Sequence, residues 1–364
     1  QQSVIDLVLP GIPSGDSSYF GYVAPGIGPS LRISNGLPAS DDRAITVFLP
    51  RGDSVRVDDT VRVINRLDSA VIALTLQARD TLVTGLKIFL YSVPTDLDST
   101  TTFADISSSL IPANLVDSIV VPDTLHTGLL RAVISGADTV RLRPDTAGRF
   151  AIGMTITANS PTGIRIASIA ASGSPSLTSY VRVAGVADTV KQKQTINRFP
   201  QFTSFVSTVV PPVDPDLLTV GGAPSGRSLI RFALPVNIRD SVTLLRATLE
   251  LTPDTPILGL PNDPATLQAF GVVGDLGAKS PIISSGVTIG HTQILSGTSG
   301  VVSVDVTQLV RLWQTSNGLP ELVFLAITPE AASFTRPVFR STRSASGGPQ
   351  IRITYYQKFP FERP

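Results

Sequence analysis

Two histidines, His126 and His291, are the only side chains whose ordinary pKa suits proton transfer near neutrality, and both sit in turn-like contexts, LHTG and GHTQ. A nucleophilic Ser or Cys needs such a base beside it, oriented by a third group. The chain has no cysteine, so thiol nucleophiles, disulfides and thiolate metal sites are all excluded. Glycosidase chemistry would need two carboxylates flanking a groove. Asp41-Asp42, Asp58-Asp59, Asp214 with Asp216, and Asp263 all fall in turn-like or strand-edge stretches, where solvated turn chemistry accounts for them. Asp214 and Asp216 have the Asp-x-Asp spacing of hard oxygen ligands, which makes calcium the one cofactor the sequence leaves room for. Arg51-Gly52-Asp53 spells an adhesion tripeptide, but a hairpin turn after Leu49-Pro50 explains it equally well. No catalytic set emerges, and the expectation is a protein that is not an enzyme.

Composition narrows the remaining functions. Lys and Arg number 29 against 28 Asp and Glu, and no basic run is interleaved with aromatics, so nucleic acid is not an expected partner. No apolar run approaches the ~18 residues that a spanning helix needs. The sole methionine is Met154 and the sequence starts at Gln1, which is the pattern of leader removal or of a fragment, and leader removal is the expectation. An extracellular or cell-surface location is expected.

The elements that would carry a site are strands. Segments such as RAITVFL, AVIALTLQA, GLKIFLYSV, SLIRFAL, LLRATLEL and GVVSVDV alternate with period two, and Gly, Pro, Asn and Asp punctuate them. Internal similarity organises them. LRISNGLPASDDRAITVFLP (31–50) matches LLTVGGAPSGRSLIRFALP (217–235); VRLRPDTAGRFAIGMTI (140–156) matches VRLWQTSNGLPELVFLAI (310–327); ASGSP (171–175) matches ASGGP (345–349). The prediction is all-β: two tandem antiparallel β-sandwiches of jelly-roll or Greek-key order. Their expected bounds are 12–185 and 200–357, with an extension strand at 1–11, a linker at 186–199 and a tail at 358–364. One short helix interrupts the second copy, because Val306, Leu309, Val310 and Trp313 recur at helical spacing. Asp305 is placed to cap it, Gln308 to complete a capping box, and Asn317-Gly318 to end it. Its indole would plug an open end of the sandwich.

The second copy also resembles a known family. The order LIRFALP, ATLEL, VDVTQLVRLW, NGL, VFLAI, RPVFRST, GPQIRITYY over about 217–356 is similar to the DNRLRE-type β-sandwich domain, a secreted bacterial module grouped with carbohydrate-binding modules. Arg231, Phe232, Trp313, Asn317, Gly318, Phe339, Ser341, Pro349 and Tyr355 carry the likeness. In the first copy Arg143 and Pro144 stand where Trp313 and Gln314 do, so the helix is not expected there. The resemblance implies a β-sandwich and a polysaccharide as alternative partner; Tyr19, Phe20, Tyr22, Tyr91, Tyr355, Tyr356, Phe359 and Phe361 are the aromatics that could stack on sugar.

Two terminal stretches remain. SVIDLVL (3–9) is an apolar strand that precedes the first repeat and has no partner in the second copy's sequence, and QKFPFERP continues past the last strand. A spare strand of this kind suits donor-strand addition, in which main-chain hydrogen bonds extend a neighbour's open edge and alternate side chains fill its pockets. Val4, Ile5, Leu7, Leu9, Phe359 and Phe361 are the expected assembly residues. Self-association into a filament or surface layer is the leading expectation for function, and a carbohydrate-binding or adhesive module is the alternative.

Overall fold

A computed structural model describes residues 3–21, 25–38, 40–186, 192–208, 214–261, 263–274, 283–316 and 319–357. Strand accounts for 52% of the chain and helix for 9%, which makes the fold all-β. The chain forms two compact units that are nested rather than consecutive: residues 23–211 make an inserted unit, and residues 1–22 with 212–364 make a split unit around it in sequence.

Strands β1 (Val4–Pro10) and β2 (Asp16–Phe20) belong to the split unit. The inserted unit follows with β3 (Ser30–Asn35), β4 (Asp42–Phe48), β5 (Ser54–Val57), β6 (Thr60–Arg79), β7 (Lys87–Ser92), α1 (Phe103–Ser107), β8 (Leu115–Val120), β9 (Gly128–Ser135), β10 (Phe150–Thr157), β11 (Thr162–Ala167), β12 (Ser176–Val183), β13 (Lys193–Arg198) and β14 (Pro200–Ser207). The split unit resumes with β15 (Leu217–Thr219), β16 (Gly226–Arg231), α2 (Val236–Asp240), β17 (Val242–Leu251), β18 (Ala265–Gly274), β19 (Ile283–Ile294), β20 (Val302–Asp305), α3 (Thr307–Thr315), β21 (Leu322–Thr328), β22 (Val338–Arg340) and β23 (Gln350–Gln357).

In the split unit a sheet of order β1-β23-β17-β20 and a sheet of order β19-β18-β21-β16-β2 contribute to one apolar core. Alternation decides which side chains enter it: Ile351, Ile353 and Tyr355 of β23 are buried while Arg352 between them faces solvent. In the inserted unit the corresponding sheets are β14-β4-β10-β7-β8 and β13-β12-β6-β11-β3, with β5 and β9 also pairing to the long β6. Both faces of β4 are buried, because Ile45 and Val47 pack with Ile106 of α1, Val93 and Ala151, while Phe48 on the other face stacks on Phe150 at 6.4 Å.

The expected helix forms as α3. Leu309, Val310 and Trp313 are buried, the indole is 2% exposed, and it tilts against the Phe232 ring at 6.3 Å. Its start differs from expectation: Val306 is the N-cap residue, and Asp305 one position earlier accepts from the Thr307 backbone N–H at 2.9 Å. A capping box with Gln308 does not form. Asn317 and Gly318 lie outside the described residues.

The expected domain boundaries are corrected. Residues 193–198, placed in a linker by their polarity, form β13, whose side chains alternate between exposed and half-buried along a sheet edge until Arg198, which is buried. Residues 200–207, assigned to the second copy, pair with β4 of the inserted unit. Within the expected extension strand, Val4–Pro10 form β1, which pairs with β23 of the split unit.

Candidate functional site

Segment 4–20 is built to complete a sheet edge on each side of one core. Strand β1 runs antiparallel to β23 in register from Val4 opposite Tyr356 to Pro10 opposite Gln350. Leu9 is buried, Ile5 and Leu7 are half-buried against the split unit's core, and Val4 and Val8 point outward, Val4 at 63% exposure. Pro10 sits at the strand's end, where a missing N–H costs no ladder bond. The chain then crosses to the other sheet. Gly11 N–H donates to Pro349 O at 2.9 Å and Ile12 N–H to Arg231 O at 2.8 Å. The Gly11 backbone passes so close that a Cβ there would lie 2.7 Å from Thr342 Cγ2. Strand β2 continues as the edge partner of β16.

Asp16 anchors the crossing. Its carboxylate is fully buried, accepts from the Thr342 N–H at 2.6 Å and from Arg343 Nη1 at 2.9 Å, and so has a counter-ion that the buried charge requires. Ser18 Oγ lies 3.0 Å from Ser228 Oγ and accepts from the Thr219 N–H at 3.0 Å.

The same two slots exist in the inserted unit and are filled from the opposite direction in sequence. Order β13-β12-β6 there corresponds to β1-β23-β17, and β14-β4-β10-β7-β8 corresponds to β2-β16-β21-β18-β19. The three matched sequence segments fall on corresponding strands: β4 with β16, β10 with β21, β12 with β23. Once the slots are known, a further match becomes visible, SYFGYVAPGIGPSL (18–31) with SFVSTVVPPVDPDL (204–217), ungapped. Each sequence copy therefore begins with its own crossing strand pair, and each pair packs on the other copy's body: β13–β14 on the body of copy one, β1–β2 on the body of copy two.

The other candidates separate into turn and surface roles. Asp214 accepts from the Asp216 N–H at 2.9 Å in a local turn, and the Asp216 carboxylate lies 4.0 Å from Arg343. Among the described residues no group of three or more His, Asp or Glu side chains converges as metal ligands. His126 and His291 are exposed. Arg51-Gly52-Asp53 forms a turn folded back on the unit, with Arg51 N–H donating to Gly148 O and Asp53 O accepting from Ile64 N–H. Tyr355 is buried, and Tyr19 is half-buried against Leu229, Val272 and Phe324. Tyr22, Phe359 and Phe361 lie outside the described residues.

One cluster was not legible in the sequence. Arg32 and Asp42 are both essentially unexposed, with Arg32 Nη2 2.8 Å from Asp42 Oδ2, and Ser34 and Ser40 join them. Phe205 of β14 lies under the Arg32 guanidinium at 5.5 Å. This network is buried structure, closed to solvent, and it ties β14 to the body it completes. No protein-family model matches the chain, and no curated protein matches it in sequence.

Proposed function

We propose that the chain is a non-enzymatic structural subunit, extracellular or cell-surface, that polymerises into a filament or surface layer by donating segment 4–20 to the split-unit body of the next copy. The observation that carries this reading is the exchange of strand pairs. Within the chain, copy two's leading pair, 193–207, already completes copy one's body. The body of copy two calls for the equivalent pair from a following copy, and among the described residues segment 4–20 fills that slot intramolecularly. The same contacts made between chains would leave each subunit with one donated segment and one open body. Such a head-to-tail contact does not close on itself and propagates.

Asp6 and Thr354 face each other across β1 and β23, with Thr354 Oγ1 donating to Asp6 Oδ1 at 2.6 Å. Antiparallel partners stand at disulfide-compatible separation, and the chain has no other cysteine to interfere. Asp6→Cys/Thr354→Cys protein, oxidised after assembly, is expected to give a ladder of covalent multimers in denaturing electrophoresis. Monomer alone at every concentration would overturn the reading.

A further inference from the structure

The segment of the inserted unit that matches α3 carries no tryptophan. It has Arg143-Pro144 in place of the tryptophan and its neighbour, a short 3-10 turn over Gly136–Arg141 stands in place of the α-helix, and a cavity of about 220 Å³ lies beside Phe150 at the start of β10. Leu67, Leu142, Pro144 and Phe150 supply apolar wall; Arg51 and Arg198 supply positive charge, and Asp53 and Asp145 are the two carboxylates of the lining.

Arg198 is the informative side chain. It is 7% exposed, its Nη1 and Nη2 make long contacts of 3.3 Å to Gly148 O and 3.4 Å to Ser179 Oγ, and its Nε has no hydrogen-bond partner. Among the described residues no carboxylate forms an ion pair with Arg198 or Arg51. Asp145, also on the wall, is committed elsewhere, to Arg149 Nε at 2.8 Å and Thr95 Oγ1 at 2.7 Å. Burial, then the nearby Arg51 charge, brings the Arg198 pKa down to about 10, so the guanidinium stays charged at neutral pH without a counter-ion. A buried, unpaired charge is destabilising, and an anion that enters would relieve it.

We propose that this cavity binds a small organic carboxylate with a short apolar body, its oxygens on Arg51 and Arg198 and its carbons on Leu67, Leu142, Pro144 and Phe150. A planar carboxylate matches the fork of a guanidinium, and the apolar wall favours a hydrocarbon tail over a fully solvated ion. The volume lies below the range of about 300–1,000 Å³ usual for drug-sized ligands, which limits the occupant to a few heavy atoms. The Arg51-Gly52-Asp53 tripeptide then acts as part of a pocket rim.

Titration calorimetry of the full chain with sodium butyrate, with sodium sulfate as a parallel arm, tests the site. Saturable butyrate binding is expected, weakened roughly tenfold or more by Arg198→Met and by Arg51→Met, as loss of a charge-assisted hydrogen bond predicts. Arg51 is half-exposed, so Arg51→Met remains decisive where Arg198→Met fails to fold by circular dichroism. Absence of saturable butyrate binding, sulfate binding of equal strength, or butyrate binding unchanged in a folded variant would each overturn the proposal.

Discussion

Deletion of residues 1–10 removes β1 and nothing else of the split unit's core. Leu9 is fully buried there and contributes about 2 kcal/mol, while half-buried Ile5 and Leu7 contribute about 1 kcal/mol each. The ladder hydrogen bonds to β23 add about 1 kcal/mol apiece, and ordering the strand backbone costs about 1–2 kcal/mol per residue, so those two effects approximately cancel. A compact denatured state already hides part of the apolar area, which lowers the side-chain sum to about 3 kcal/mol.

Trp313 makes this measurable in one unit alone. It is the only tryptophan in the chain, and it lies in the core that β1 helps to close. Urea titration followed by tryptophan fluorescence is expected to show the split unit's midpoint falling by about 1.5 M, for a slope of about 2 kcal/mol per molar urea. Added peptide of residues 1–10 is expected to restore part of the shift by mass action. A loss below about 1 kcal/mol would show that β1 is dispensable to the body it pairs with, and would refute the argument that this edge requires a donor.

Three further outcomes follow from the packing. Trp313→Ala is expected to cost about 3–5 kcal/mol in the split unit, since truncating a fully buried aromatic leaves a cavity that the surrounding strands cannot fill; chemical denaturation followed by circular dichroism reads it. Asp42→Ala is expected to cost the inserted unit about 3–5 kcal/mol, because Arg32 is left charged and buried, whereas Arg32→Met/Asp42→Leu should recover most of the loss in the same denaturation assay. The Thr95 hydroxyl, aided by the Arg149 backbone N–H and guanidinium, holds the Asp145 pKa down to about 2 from 3.8, so its stabilisation is complete above the unfolded value and lost as pH falls from about 4 through about 2. Asp145→Asn should flatten the acid limb of the inserted unit's stability in that window, and an unchanged limb would show that the carboxylate's partners do not hold it in solution.

The strands and the helix were legible because each follows a local rule. Period-two alternation marks β6, β17 and β20, and the i, i+3, i+4, i+7 recurrence ending at Trp313 marks α3. Its first residue was displaced by one, since Asp305 satisfies an N–H from outside the helix and leaves Val306 as the cap. Strand β13 escaped because an edge strand buries little, and KQTINR carries the polar composition of a linker. The Arg32–Asp42 pair escaped for a different reason: a buried charge is recognised by its partner, and only folding brings the two strands into register. Partner choice for 4–20 was equally hidden. Alternation says that a strand exists, but the edges the segment joins lie more than three hundred residues away for β1 and more than two hundred for β2.

That separation is what makes the strand pair suited to exchange. Loop-closure cost rises only slowly with length, so a segment joined to its acceptor through the whole of residues 23–211 still closes intramolecularly. Closure within a chain and donation between chains form identical hydrogen bonds, bury the same Leu9 and pair the same Asp16 with Arg343, and their contact energies therefore cancel in the comparison. What decides between them is the effective concentration of the chain's own segment against the concentration of neighbours. The inserted unit has no such choice, because β13 and β14 follow β12 after a short connection and fill their slots locally. One chain thus contains a body whose complement is fixed by proximity and a body whose complement is held only by a long tether, and under the proposed assembly the second body is the one that would take its complement from another copy.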